Sequence, residues 1–352
     1  MITDDPRAAA AALLITDDPR AAAAALLDGA LVVLPTETVY GLAGRADDPA
    51  AVARIYSVKG RPSQHPVIVH VADPRLDPST PGSWVRAVPD YARRLAEACW
   101  PGPLTLVLPR SERATDDVTG GQDTVALRVP GHPLALEVLR AMDEIDPPGA
   151  PHGVAAPSAN RFGHVSPTVL AHALADLGDL LSGSDLAIDG GACEVGVEST
   201  IVDCTGPQPR VLRPGGIGVA DIERITGLEA LDATASGIRV PGALPSHYAP
   251  AARLALAADA DALDAYVGAA VEGGTEEERI GVIAMSGVLT PESATRLLAP
   301  DSADAYARGL YDALRRADEA GIAFIVAVPP DPDAEGVSEA IADRLRRASA
   351  PR

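Results

Sequence analysis

Lysine is almost missing from this chain. Of 29 Lys and Arg positions a single one, Lys59, is lysine, and the other 28 are arginine. Aromatic residues make up only 3% of the 352 residues, so the core has to be built from Ala, Val, Leu and Ile. Cysteine is also scarce. Cys99, Cys193 and Cys204 are an odd number with no C-x-x-C spacing, which argues against a disulfide framework or a structural zinc site and fits reduced, packed thiols. No run approaches the roughly 18 consecutive apolar residues of a membrane helix, and the first residues lack the basic stretch and continuous apolar core of a secretion signal. These absences lead us to expect a soluble, cytoplasmic protein with no membrane association. The net charge of −20 disfavours a broad footprint on nucleic acid, which needs clustered cations. It leaves room for a small basic pocket in an acidic body.

The length suits two domains. Residues 2–14 (ITDDPRAAAAALL) recur unchanged as residues 15–27, a single tandem copy too short for a solenoid. Asp-Asp-Pro ahead of an Ala-rich run favours a helix with an Asp cap and Pro in its first turn. We assign residues 1–19 to an extension carrying the duplicate and expect no catalytic role for the extra copy.

Residues 20–225 then alternate strands and helices. Strands are expected at Leu31–Pro35, Val67–Val71, Leu104–Leu108, Thr124–Val129, Val154–Ala156, Leu186–Asp189, Ser199–Asp203 and Arg210–Leu212. Helices are expected from Asp48 to about Val58, over Pro89–Cys99, from Pro133 to about Met142, and from Ser166-Pro167 onward. Several strands follow one another directly, which predicts a mixed α/β sheet. Residues 226–252, rich in Gly, Pro and Ser, read as a linker. Residues 253–352 read as a smaller Rossmann-like α/β domain with no G-x-G-x-x-G after its first strand, so no dinucleotide is assigned to it.

Four segments place small or charged groups just after a strand, where open α/β sheets bind ligands. They are P-T-E-T-V-Y-G-L (Pro35–Leu42), K-G-R-P (Lys59–Pro62), A-P-S-A-N (Ala156–Asn160) with Ser166 beyond it, and G-V-E-S-T-I (Gly196–Ile201) followed by R-P-G-G (Arg213–Gly216). Hydroxyls, backbone amides and several cations brought together make a polyanion site. Lys59 ends the first predicted helix of this region, a compact point charge where every other cation is a planar fork. Each residue also has a structural reading. Thr36 and Thr38 suit a turn, His70 a satisfied core histidine, Arg128 a solvated strand face, and Ser158 and Asn160 a helix start. Asp189 and Glu198 read equally as metal-holding or structural, and the metal ligands stay unassigned.

The ordered set resembles the YrdC family, and the C-terminal unit makes the chain similar to its two-domain threonylcarbamoyl-AMP synthases. W-P-G-P-L-T (Trp100–Thr105), V-A-L-R-V-P-G-H-P (Val125–Pro133), D-G-G-A-C-E-V-G-V-E-S-T-I-V-D (Asp189–Asp203) and H-Y-A-P (His247–Pro250) carry the resemblance, over roughly residues 20–350. It implies a twisted mixed sheet and a nucleotidyltransferase that joins L-threonine, bicarbonate or CO2, and ATP into threonylcarbamoyl-AMP and pyrophosphate. A magnesium ion is expected with the ATP, and downstream threonylcarbamoyl transfer to tRNA is implied, with direct tRNA binding weak or absent. Carried over by position, L-threonine contacts fall on Thr38, His70, Arg128, the backbone at Ala156, and Ser199. ATP contacts fall on Lys59, Arg61, His65, Thr124, Ser158, Ser166 and Arg213, with Lys59 and Arg61 stabilising charge on the departing pyrophosphate. The chain departs from the family at His65, where Asn or Lys is usual, at Phe162, at Ala243–Ser246 in the linker, and at Ala342-Asp343 in the last helix. Two other readings remain: an RNA-binding module, and a carbamoyl-adenylate enzyme with another acceptor.

Overall fold

The computed structural model describes residues 13–73, 76–147, 151–242, 247–331 and 336–351. Ten strands form one sheet: β1 (Leu14–Thr16), β2 (Val32–Leu34), β3 (Gly41–Arg45), β4 (Ile68–Val71), β5 (Leu104–Pro109), β6 (Thr124–Arg128), β7 (Gly153–Ala155), β8 (Leu186–Ile188), β9 (Thr200–Asp203) and β10 (Arg210–Arg213). Their order is β1-β8-β2-β3-β7-β4-β6-β5-β9-β10. Pairings of both senses occur, parallel for β4–β6 and β5–β9 and antiparallel for β4–β7 and β5–β6, as the directly successive strands imply. Its helices are α1 (Pro19–Leu27), α2 (Pro49–Lys59), α3 (Asp90–Cys99), α4 (Asp116–Thr119), α5 (Pro133–Ile145), α6 (Leu170–Leu177) and α7 (Val219–Thr226).

A second, wholly parallel sheet follows, ordered β11-β14-β12-β13. It comprises β11 (Arg253–Leu256), β12 (Ile280–Ile283), β13 (Thr295–Leu298) and β14 (Phe324–Ala327), with α8 (Ala260–Glu272), α9 (Ala303–Glu319) and α10 (Ser338–Ser349). Parallel strands need crossover helices, and the amphipathic 3.6-residue pattern of α9 supplies one that buries Tyr306, Leu310, Tyr311 and Leu314. These pack in one apolar cluster with Val39, Val165 and Val197 beside the first sheet. Segments flanking the first sheet therefore share a core with the second unit along α9.

The second copy of the repeat belongs to the fold. Ile15 and Thr16 lie in β1, and Asp18 caps α1 by accepting from the Arg20 amide at 2.9 Å. Ala22, Ala23 and Leu26 of that helix are fully buried against α5 and β2. Most of the first copy lies outside the described residues. Some elements differ from the sequence expectation. β3 reads Gly-Leu-Ala-Gly-Arg, a loop-like composition, yet it is a strand paired with β2 and β7, and glycine stands at 44 because a Cβ there would lie 2.9 Å from Leu31 Cδ2 and 3.1 Å from Ile55 Cδ1. Helix α6 starts at Leu170 instead of Ser166, because the Ser166 hydroxyl is turned to Glu198 and caps nothing.

Candidate active site

Helix α2 delivers two cations to one place. Asp48 caps its start, and its end is a reversal at Gly60, φ +62°. There the Gly60 amide donates to Ser57 O and the Arg61 amide to Tyr56 O, the paired bonds of a helix stop that needs a left-handed residue. Lys59 and Arg61 thus flank the turn, and both side chains are buried and line the same cavity. Lys59 Nζ donates to Ser158 O at 2.5 Å and to Asn160 O. Arg61 donates to Pro66 O at 2.8 Å through Nη2 and to His65 O through Nε.

The opposite walls come from β4, β6 and the segments around β9 and β10. His70 and Arg128 are register partners on β4 and β6. Arg128 Nη2 donates to Glu37 Oε1 at 2.7 Å and Nε to Gly102 O at 3.2 Å. Neither bond uses Nη1. Arg128 is therefore shared with Glu37, a buried carboxylate of the Pro35–Leu42 segment. His70 is buried with Nδ1 unpartnered among the described residues, and burial, then the Arg128 charge, push its imidazole down to about 3. It is neutral at physiological pH. At β10 the strand register shifts between Val211 and Arg213. Arg213 donates to Ser199 O at 2.8 Å, Ser199 Oγ at 3.1 Å and Pro241 O at 2.9 Å.

Nine of the twelve residues singled out from sequence therefore line one cavity: Thr38, Lys59, Arg61, His70, Arg128, Ala156, Ser158, Ser199 and Arg213. Three do not. His65 turns its ring edge to Phe162 at 5.5 Å between centroids and offers its carbonyl to Tyr56. Thr124 opens β6 opposite Pro109. Ser166 is fully buried and donates to Glu198 Oε1 at 2.6 Å. The Ala156 amide is already given to Ile68 O at 3.1 Å. Thr36 holds the turn it suggested, donating to Val39 O at 2.6 Å. Asp189 lies in a turn near Tyr40, accepting from the Gly191 amide at 2.9 Å.

Further lining residues include Phe162, His247, Tyr248 and Glu198, none of them assigned a ligand contact from the sequence, where Glu198 read equally as metal-holding or structural. His247 and Tyr248 belong to the H-Y-A-P motif, the signal that was available for them. The linker positions Ala243–Ser246 lie outside the described residues. Among the described lining residues, four cations face one carboxylate, Glu198. Burial, then the neighbouring Arg61 charge, pull the Lys59 ammonium well below its usual value, and burial lowers Arg61 and Arg213 as well. The hollow is partly open to solvent and holds about 50 Å³, room for a few waters.

Two family models match the chain. One, Sua5/YciO/YrdC, is described as telomere recombination and covers residues 24–215; the other, the threonylcarbamoyl-AMP synthase C-terminal domain, covers residues 217–350. The chain is 39% identical to the threonylcarbamoyl-AMP synthase of Bacillus subtilis, over 99% of this chain and 94% of the relative. It is 37% identical to that of Pyrococcus abyssi, over 92% and 91% respectively. A crystal structure of P. abyssi Sua5 complexed with L-threonine is similar at a TM-score of 0.83 and 34% identity, covering 96% of this chain and 97% of the other. From residue 24 to residue 350, this chain belongs to the Sua5/YciO/YrdC family, in its branch with a threonylcarbamoyl-AMP synthase C-terminal domain.

Proposed function

We propose that this protein makes L-threonylcarbamoyl-AMP from L-threonine, bicarbonate or CO2, and ATP, releasing pyrophosphate, for threonylcarbamoyladenosine modification of tRNAs that read codons beginning with A. The observation that carries the reading is the gathering of Lys59, Arg61, Arg128 and Arg213 around one cavity with one lining carboxylate. An acidic chain that concentrates cations in a desolvated hollow favours a ligand with several negative charges.

The chemistry has two steps. The threonine amine attacks the carbon of CO2 derived from bicarbonate, forming a carbamate and losing a proton; with bicarbonate as donor, water is released. A carbamate oxygen then attacks the α-phosphorus, and the bond to the β-bridging oxygen breaks so that pyrophosphate leaves with its electron pair. Positioning supplies much of the first step, since binding converts an encounter between separate molecules into a local one. In the second, Lys59, Arg61 and Arg213 stabilise charge moving onto the leaving group. Arg128 takes the threonine carboxylate, while Thr38, neutral His70 and Ser199 order the rest of that substrate, and Ser158 contacts the nucleotide. A magnesium ion bound with the triphosphate would be held mainly by the phosphate oxygens, which suit it. Among the described residues no three His, Cys, Asp or Glu side chains converge, and Glu198 already accepts from three donors, so the chain itself offers no cage. The product passes to the machinery that transfers threonylcarbamoyl to tRNA.

The test is a radiolabelled-threonine assay with ATP and bicarbonate in which the adenylate is resolved, beside pyrophosphate release with serine or carbamoyl phosphate in threonine's place. A labelled adenylate that needs threonine supports the reading. Turnover only with another acceptor refutes it in favour of a related carbamoyl-adenylate enzyme, and tight RNA retention at roughly 200 mM salt without turnover favours an RNA-binding module.

A further inference from the structure

Glu198 joins the cavity to the C-terminal unit. Its buried carboxylate accepts from Ser166 Oγ at 2.6 Å, Tyr311 Oη at 2.8 Å and Arg344 Nε at 2.7 Å. Two of these donors come from beyond the linker, Tyr311 on α9 and Arg344 on α10. Arg344 is fully buried and reaches in several directions at once. Its Nη2 donates to Pro214 O at 3.0 Å, the carbonyl next to Arg213, and its Nη1 to Asp343 Oδ2 at 2.7 Å. Its guanidinium lies 5.2 Å from the ring centre of Tyr248, which stacks on Tyr311 at 5.7 Å and also lines the cavity. Asp343 steadies the arrangement by also accepting from Arg347 Nε at 2.9 Å.

A carboxylate in the wall of a polyanion site opposes its ligand unless a fixed cation neutralises it. With Arg344 gone, the strongest remaining cationic influence on Glu198 is Arg213, a cavity residue. Glu198 would then draw on the charge that the ligand needs. We propose that Arg344 is a positioning residue for the synthase reaction: from the C-terminal unit it neutralises Glu198, leaving the Arg213 charge to the nucleotide's phosphates and the Tyr248 ring seated on the cavity. The inference rests on the siting of ATP in this cavity argued above. It gives the C-terminal unit a part in nucleotide affinity.

The full-length protein is compared with its R344M, R344K, E198Q and E198Q/R344M variants by threonine-dependent pyrophosphate release at varied ATP, each checked by thermal unfolding. R344M is expected to raise the KM for ATP about tenfold or more with a smaller change in kcat, as for a buried charge pair cut on one side. R344K recovers part of that loss. E198Q/R344M returns to within about threefold of E198Q, because two residues acting through one contact are not additive. A double variant as impaired as R344M, or about tenfold worse than E198Q, overturns the proposal. If R344M does not fold, the comparison of E198Q with E198Q/R344M decides alone. Lys59→Arg, run in the same assay, separates the two levels. An unchanged Lys59→Arg variant removes the siting of ATP and this inference with it, whereas a failed Arg344 comparison beside an impaired Lys59→Arg leaves that siting standing.

Discussion

Lys59→Arg keeps a cationic side chain and changes its shape, so it tests geometry. The native Nζ sits at the end of α2 between the carbonyls of Ser158 and Asn160, with the side chain 3% exposed. A guanidinium is a broad plane instead of a tapering ammonium. In the partly open hollow of about 50 Å³, already bordered by the Arg61 guanidinium, the wider fork crowds Arg61 and the Ser158–Asn160 turn. Overpacking of this kind costs roughly 1–3 kcal/mol, which a domain stable by about 5–15 kcal/mol survives. Displacing one preorganised donor from developing charge costs about 2.7–4 kcal/mol, on the order of a hundred- to a thousandfold in kcat. Threonine-dependent pyrophosphate release gives the rate, and a circular-dichroism melt shows the fold. Turnover within about threefold of wild type in a folded variant would refute the reasoning.

Glu198 tests the electrostatics through stability. Burial raises its carboxyl, but Arg344, then Arg213 and the Ser166 hydroxyl, outweigh it and hold the group down at about 2, against 4.5 when free. A depressed carboxyl stabilises the native state above pH 4.5, and that contribution fades as pH falls from about 4.5 to 2, on the order of 3 kcal/mol in all. Acid unfolding of E198Q should lack this component, and an unaltered acid profile would count against the ion pair. Arg128→Lys removes the fork shared by Glu37 and Gly102, and it should raise the KM for threonine about tenfold while sparing that for ATP; equal effects on both would remove Arg128 from the amino-acid side. Deleting residues 2–14 leaves the second copy, with β1 and α1, preceded by Met1 in place of Leu14, which is 59% exposed. Melting temperature and turnover should stay near wild type, and a drop of many degrees would show that the first copy is part of the fold.

The parts of the fold legible in the sequence were those whose signals are local. Asp48-Pro49 marks the start of α2 by capping chemistry, and Pro133 opens α5. The mixed character of the sheet followed from strands that succeed one another without a helix. β3 escaped because two glycines erase strand propensity, and the reason for Gly44 lies in Leu31 and Ile55, side chains distant in sequence. The site divides in the same way. Lys59 was marked by composition and Arg61 by its place two residues on. Glu37 and Glu198 lie within motifs visible in the sequence, but nothing local pointed to their partners, and Tyr311 and Arg344 carried no mark at all, because what singles these residues out is partnership across the chain, between residues 37 and 128 and between residues 198 and 344. In a sequence with 28 arginines nothing distinguishes Arg344 until its neighbours are known.

That partnership also explains how a chain of net charge −20 keeps a positively charged cavity. Carboxylates would neutralise the cavity cations, and the fold fixes most of them by other means. Lys59 is oriented by the carbonyls of Ser158 and Asn160, Arg61 by those of His65 and Pro66, and Arg213 by those of Ser199 and Pro241. A carbonyl dipole aligns a cation and satisfies its hydrogen-bonding groups without cancelling its charge. The desolvation that remains uncompensated is what lowers Lys59, Arg61 and Arg213 together, and an incoming polyanion relieves it. Where carboxylates do approach, Glu37 shares Arg128 with the cavity, and Glu198 is paired with an arginine from outside it, Arg344. The positive charge of the cavity is therefore held in place by neutral dipoles and shielded from its own acidic wall by the C-terminal unit.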